Sequence, residues 1–390
     1  MKQAGLAALE RALDDLDREG LLRARRMLDS PQGPVVLEGG QALANFASND
    51  YLGLANHPRI RAAAHQAIDA FGFGAGASPI VVGHSWLHEE AESAFARFTG
   101  LPRALLFPSG YAANLGILTA LADRSAAIFA DRLNHACLND GALLSRADFH
   151  RYPHGDLGRL ETMLAASKSE IRVIATDTVF SMDGDVAPLP DLLALAERHD
   201  AWLVLDDAHG IGVLGGGRGS LAHFGLNSPR IVYMATLGKA LGGYGAFAAG
   251  EATVVEWLMQ RARTYVFSTA LPPAAAAVAT AALGLVEDFP QMVKALHDRI
   301  DEFRRACASL GVATHSPTAI QPLIVGDSGR AVALSARLRE LGQLVPAIRP
   351  PTVPDGTARL RVSLSAAHTR EQILALCAAL GEVLGHGAAR

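Results

Sequence analysis

Short apolar runs rich in β-branched residues alternate with longer helical patterns over much of the chain. "RALLFPSG" (103–110) precedes the helical "YAANLGILTALAD", and "AAIFADR" (126–132) precedes a helical stretch near 134–146. "IRVIATDTVF" (171–180), "AWLVLDDA" (201–208) and "RIVYMATLG" (230–238) read as three more strands, with the helix "LPDLLALAERH" between the first two. This alternation predicts an α/β domain built on a mainly parallel sheet. After about residue 285 the texture changes. Long helical patterns ("QMVKALHDRIDEFRRACASL", "SGRAVALSARLREL", "TREQILALCAALGEVL") alternate with "AIQPLIVGD" and "ARLRVSLS", which predicts a smaller α+β domain. The expected division is an N-terminal arm and helix over 1–52, a large α/β domain over 53–285 and a small C-terminal α+β domain over 286–390. The chain has no internal repeat and no low-complexity linker.

Composition narrows the function classes. The 390 residues suggest two or three domains, and 50% hydrophobic with 19% charged residues supports a large buried core. The net charge is -4, and "RARR" at 23–26 is the one short basic block. A nucleic-acid partner is therefore not expected. Cys137, Cys307 and Cys377 have no CxxC spacing, which disfavours metal and disulfide readings and suits a reducing compartment. "MKQAGLAALERALDDLDREG" is a charged amphipathic helix pattern without the apolar core of a signal peptide. "LPPAAAAVATAALGLV" is too short to span a bilayer comfortably. The expectation is a soluble, cytoplasmic protein with no membrane partner and no metal.

Open α/β sheets bind ligands at the carboxyl ends of their strands. Four predicted strand ends carry "FPSGY", "VFSMDGD", "LDDAHG" and "ATLGKA". Two glycine patterns there are decoys. "GIGVLG" (210–215) matches G-x-G-x-x-G, but "GGRGSLAHFG" follows, with neither the opening helix nor the acid that dinucleotide binding needs. The "GK" at 238–239 lacks a following Ser or Thr and the first glycine of a P-loop.

Lys239 stands out because no Asp or Glu occurs between Asp207 and Glu251. A lysine at the end of a buried strand is partly desolvated, which favours its neutral amine and suits Schiff-base chemistry. The natural partner is pyridoxal phosphate (PLP), whose pyridine nitrogen needs a carboxylate. Asp206 ends a neighbouring strand and can supply it. His209 is three residues further on, in reach of the cofactor's phenolic oxygen. "PSGYAANLG" opens a helix with a Ser-Gly turn, a good phosphate site. A general metabolic α/β enzyme is the alternative reading of these residues.

The chain resembles the α-oxoamine synthases, a PLP-dependent family with the aspartate-aminotransferase-like fold. "FASNDYLGLANHP", "FPSGYAANLG", "DRLNHACLNDG", "VFSMDGDVAPL", "LDDAHGIGVLG", "TLGKALGG" and "YVFSTALPP" follow the family's order and spacing over nearly the whole length. The C-terminal "AIQPLIVGD" and "VPAIRPPTVPDGTARLRVSLSAAHT" favour the biotin branch. That branch condenses L-alanine with pimeloyl-ACP or pimeloyl-CoA. Sister branches use other pairs, such as the glycine and acetyl-CoA of glycine C-acetyltransferase.

The resemblance implies roles for individual residues. Lys239 matches the Schiff-base lysine, Asp206 the pyridinium partner and His209 the residue at the phenolic oxygen. His135 matches a histidine stacked on the cofactor ring. Gly110 and Tyr111 match backbone donors to phosphate, and Ser181 and Thr236 match polar contacts to the cofactor. Ser268 and Thr269 match residues that reach the phosphate of the other subunit, which implies a homodimer with shared active sites. Arg23 matches a substrate arginine, with Arg25 as its rival in the same run. Thr352 matches a substrate contact and Arg361 a carboxylate-binding arginine, with Asn49 expected close by. Pro79 stands where the family often has arginine, which puts that arginine's contact in question. Singly, these residues also have plain readings: a satisfied histidine at 135, turn chemistry at Ser181, a solvated Arg23, a strand-edge charge at Arg361. Their joint occurrence in order favours the functional one.

Overall fold

The computed structural model describes residues 4–312 and 314–385. Its strands are β1 (Val35–Glu38), β2 (Gln41–Asn45), β3 (Arg103–Phe107), β4 (Ala126–Asp131), β5 (Asp148–Tyr152), β6 (Ile171–Asp177), β7 (Ala201–Asp206), β8 (Ile231–Thr236), β9 (Ala246–Gly250), β10 (Ile320–Gly326), β11 (Gln343–Leu344), β12 (Ala347–Ile348) and β13 (Ala358–Ser363). Seven form the central sheet, in the order β3-β9-β8-β7-β6-β4-β5. All are mutually parallel except β9, which runs antiparallel to both β3 and β8. The α/β fold with a mainly parallel sheet is as expected. Strands β5 and β9 and the hairpin β1–β2 are additions.

The apolar runs are continuous because helices cover both faces of the sheet. Side chains along a strand alternate between two cores. On β8, Ile231, Tyr233 and Ala235 join one core, while Val232 and Met234 join the other. The first core is closed by helices Trp86–Thr99 and Pro273–Asp288; Phe95 stacks on Phe247 with ring centroids 4.1 Å apart. The second is closed by helices Gly110–Leu121 and Ala252–Arg261.

The C-terminal region forms a three-stranded antiparallel sheet, β10-β13-β12. It packs with helices Pro290–Ser309, Ser328–Glu340 and Arg370–Gly385. The N-terminal hairpin turns at Gly39–Gly40, both with positive φ, as a tight hairpin requires. Its strand β2 pairs in parallel with β11, tying the start of the chain to the C-terminal region. Among the described residues, no helix is long and apolar enough to cross a membrane.

Register brings the chemistry together. Asp177, Asp206 and Met234 lie side by side at the carboxyl ends of β6, β7 and β8. The loops carrying Ser181, His209 and Lys239 therefore leave the sheet at one edge. The decoy at 210–215 is a turn without a following long helix; it closes through an isolated bridge, Ile211 to Arg218.

Candidate active site

At that edge lies a cavity of about 170 Å³. Gly110, Tyr111, His135, Ser181, Asp206, His209, Thr236 and Lys239 all line it. Eight separately predicted residues thus converge on one space. Cys137, Asp177 and Met234, which the sequence reading passed over, line it too.

Lys239 Nζ lies 2.8 Å from His209 Nε2. Burial lowers the lysine's pKa, against the opposing charges of Asp206 and Asp177. His209 is buried, and its Nδ1 lies 2.8 Å from the Tyr51 hydroxyl. Burial, then the charges of Lys239 and Arg361, push its pKa well below the ordinary histidine value.

Asp206 is buried, and Asn114 Nδ2 donates to its Oδ2 at 2.7 Å. The Ala208 N–H donates to Oδ1 at 3.0 Å. No ion pair to Asp206 occurs among the described residues, so this carboxylate faces the cavity without a cation. Asp177 beside it accepts the His135 backbone N–H at 2.8 Å. Burial, then the charge of Asp206, push the Asp177 carboxyl well above its usual range.

The helix Gly110–Leu121 starts at the cavity. Ser109 caps it by accepting the Ala112 N–H at 3.1 Å. The N–H groups of Gly110 and Tyr111 find no acceptor among the described residues. Free donors at a helix start make an anion site. The Tyr111 hydroxyl bonds Asp140, and Thr236 Oγ1 donates to the Gly245 carbonyl at 3.1 Å. An amine beside a neutral imidazole, an unpaired buried carboxylate and free helix N–H groups fit PLP's aldehyde, pyridine nitrogen and phosphate respectively.

Arg361 and Asn49 stand behind His209. Arg361 Nη1 donates to Asn49 Oδ1 at 3.1 Å, and Nη2 reaches the Tyr51 hydroxyl at 3.4 Å. Arg361 Nε donates to the Ser181 carbonyl at 2.6 Å, so a strand of the C-terminal sheet grips a loop of the central one. The other expected residues lie apart from the cavity. Arg23 and Arg25 are both exposed between the first helix and β1. Thr352 is exposed and follows a cis Pro350–Pro351 bond. Ser268 and Thr269 follow the short helix Arg263–Val266; Thr269 is exposed and Ser268 half-buried. Pro79 opens a single wide helical turn, Pro79–Gly83.

Tyr51 and Asn114 were also missed. Tyr51 sits two residues after Asn49 in a stretch already singled out. Asn114 lies one helical turn after Gly110, and so points back under the same cavity.

Residues 42–380 match the model of the class I and II aminotransferases. An 8-amino-7-oxononanoate synthase from Chromobacterium violaceum is 54% identical over 371 residues, covering 95% of this chain and 97% of that protein. The chain belongs to this synthase family, within the class I and II aminotransferases. Solved structures agree with the family. A serine palmitoyltransferase variant from S. paucimobilis with bound PLP–myriocin aldimine has a TM-score of 0.93 at 26% identity, with 100% of each chain covered. An 8-amino-7-oxononanoate synthase from Francisella tularensis has a TM-score of 0.77 at 30% identity, over 89% of this chain and 99% of that one.

Proposed function

We propose that the protein is a PLP-dependent acyltransferase of biotin biosynthesis. It joins L-alanine to the acyl group of a pimeloyl thioester, releasing CO2 and the thiol and giving 8-amino-7-oxononanoate. The observation that carries this reading is the 54% identity to the Chromobacterium violaceum synthase along nearly the full length of both chains. The convergence of Lys239, Asp206, His135 and His209 on one cavity supports it.

When bound, PLP supplies an electrophilic carbonyl and a pyridine ring that draws electron density from the amino acid's α-carbon. Lys239 is the residue that holds the cofactor. Its lowered pKa favours the neutral amine, which takes the α-proton of alanine once free. Asp206 offers its carboxylate to the pyridine nitrogen, steadied by Asn114 and the Ala208 N–H. The free N–H groups of Gly110 and Tyr111 take the phosphate, with Thr236 beside them. His209 serves the phenolic oxygen, and Ser181 adds a polar contact to the cofactor. His135 orients the ring and the incoming acyl carbonyl. Arg361 and Asn49 take the alanine carboxylate. Thr352 and Arg23, or Arg25 in its place, meet the acyl substrate.

Ser268 and Thr269 complete the phosphate site of a second subunit, which makes the working form a homodimer with shared sites. Their position away from this chain's own cavity supports that reading. The three free cysteines suit a reducing, cytoplasmic setting.

The glycine C-acetyltransferase reading is not favoured, because the full-length relative at 54% identity carries the other name. Initial rates with L-alanine plus pimeloyl-CoA or pimeloyl-ACP, against glycine plus acetyl-CoA and serine plus palmitoyl-CoA, test the choice. The alanine pair should turn over fastest and yield 8-amino-7-oxononanoate by mass. Turnover of glycine with acetyl-CoA but not of alanine would move the protein to the sister branch.

A further inference from the structure

Two buried residues of the cavity region do more than steady Asp206. Asn114 is 0% exposed and Cys137 2%. Asn114 Nδ2 has two hydrogens and two acceptors: Asp206 Oδ2 at 2.7 Å and Cys137 Sγ at 3.0 Å. Cys137 Sγ lies in turn 2.8 Å from His135 Nδ1. The Cys137 backbone N–H points at the same nitrogen from 3.3 Å, because His135 caps the helix Ala136–Ser145.

These contacts fix where the protons are. A ring nitrogen that accepts a backbone N–H carries no proton of its own. The thiol hydrogen is then directed at that nitrogen, 2.8 Å from the sulfur, in preference to Asp206 Oδ2 at 3.9 Å, and the ring's own proton sits on Nε2. The thiol keeps its hydrogen, because burial and then the charge of Asp206 push its pKa up. The His135 backbone is held independently, by its N–H to Asp177. Charged and titratable groups face the ring from every side: Asp206 and Asp177 at the strand ends, Asp140 on its own helix, Lys239 and His209 on the loops. Burial lowers the ring's pKa most; Asp206 and Asp140 favour the imidazolium and Lys239 opposes it.

We infer that Asn114 and Cys137 are positioning residues: a hydrogen-bond chain from Asp206 through the Asn114 amide and the Cys137 thiol holds His135 neutral with its proton on Nε2. His135 then meets the substrate as a hydrogen-bond donor, not as a base. The same chain ties the ring to the carboxylate proposed to hold the cofactor's pyridine nitrogen. The functional consequence rests on the synthase reading above, whereas the tautomer follows from the contacts alone.

Magic-angle-spinning NMR of the full-length protein labelled with 15N-histidine tests it, with the His135 signals assigned by their loss in His135→Gln. Wild type at pH 7 should show a bare Nδ1 and a protonated Nε2. Cys137→Ser, which keeps a donor in place, should preserve both the tautomer and its titration midpoint. Cys137→Ala should raise the midpoint by roughly half a pH unit to one unit, the size of one lost hydrogen bond. A proton on Nδ1 in wild type, or a midpoint unmoved in Cys137→Ala, would overturn the inference. Failure of the synthase reading would be seen elsewhere, as a protein that neither binds PLP nor turns over alanine with pimeloyl-CoA, whatever tautomer His135 holds.

Discussion

The amine of Lys239 rests 2.8 Å from Nε2 of His209, not against a carboxylate. A lysine paired with an acid stays an ammonium ion. Here the neighbour is an imidazole that burial keeps neutral, and burial also lowers the lysine's own pKa. The pairing leaves the amine free to act as nucleophile and base. Lys239→Ala should lower turnover at least about a thousandfold, in the range expected for loss of a general base. Borohydride treatment should fix PLP to wild type and not to the variant. Near-wild-type turnover by Lys239→Ala would sink the assignment.

Arg361 is a buried cation, and no carboxylate pairs with it among the described residues. Its donors go to the Ser181 carbonyl, Asn49, Ser363 and Tyr51, which leaves one Nη2 hydrogen. A buried charge of this kind calls for an anion. Arg361→Gln should raise the KM for alanine about 10- to 100-fold, the worth of one charged hydrogen bond, with the KM for the thioester unchanged. An unchanged KM for alanine would place the carboxylate elsewhere.

Much of this site was legible along the chain because parallel strands end at one edge. Once "LDDAHG" and "ATLGKA" are read as strand ends, Asp206, His209 and Lys239 must be neighbours. The strand β9 was hidden, since "AFAAG" has neither β-branched residues nor alternation; its place between β3 and β8 is set by burial on both faces. The β1–β2 hairpin had a readable turn signal in "EGGQ", and a parallel partner about 300 residues away that no local pattern encodes. Asn114 and Cys137 look like ordinary helix residues. Their importance comes from distances to Asp206 and His135 that only the packing of the helix Gly110–Leu121 against the helix Ala136–Ser145 creates.

His154 gives a pH-dependent contribution to stability. Its Nδ1 lies 3.1 Å from both Asp131 oxygens and its Nε2 2.9 Å from Asp185 Oδ2, so it joins the end of β4 to the loop after β6. The hydrogen bonds to Asp131, then to Asp185, raise its pKa from 6.5 to about 10. A histidine whose pKa rises on folding stabilises fully below its unfolded pKa and loses that contribution as pH climbs through the folded one. The melting-temperature gap between wild type and His154→Gln should therefore be level between about pH 5 and pH 6.5, shrink above it, and vanish beyond about pH 10. A gap that widens with rising pH would contradict the ionised triad.

Gly184 carries a strict backbone demand near the site. Its φ is +71°, and a Cβ there would sit 2.4 Å from the Ile320 carbonyl oxygen and 2.4 Å from Ser316 Oγ. Its own carbonyl accepts from Ser316 Oγ at 2.9 Å and Thr318 Oγ1 at 3.0 Å. The same turn holds Asp183, paired with Arg359, and the Ser181 carbonyl that accepts from Arg361. Gly184→Ala should cost about 2 kcal/mol or more, since the left-handed conformation alone costs roughly 1–2 kcal/mol and the clash adds to it. Gly356 is the control: its φ is +73°, and nothing lies within 4 Å of an added Cβ. Gly356→Ala should therefore show the conformational cost without the clash. Denaturant midpoints of the two variants separate the terms. Gly184→Ala should also raise the KM for alanine, because pushing the turn off β10 removes the carbonyl that aims Arg361. Equal destabilisation in both variants, with an unchanged KM in Gly184→Ala, would mean that the turn yields without disturbing the arginine.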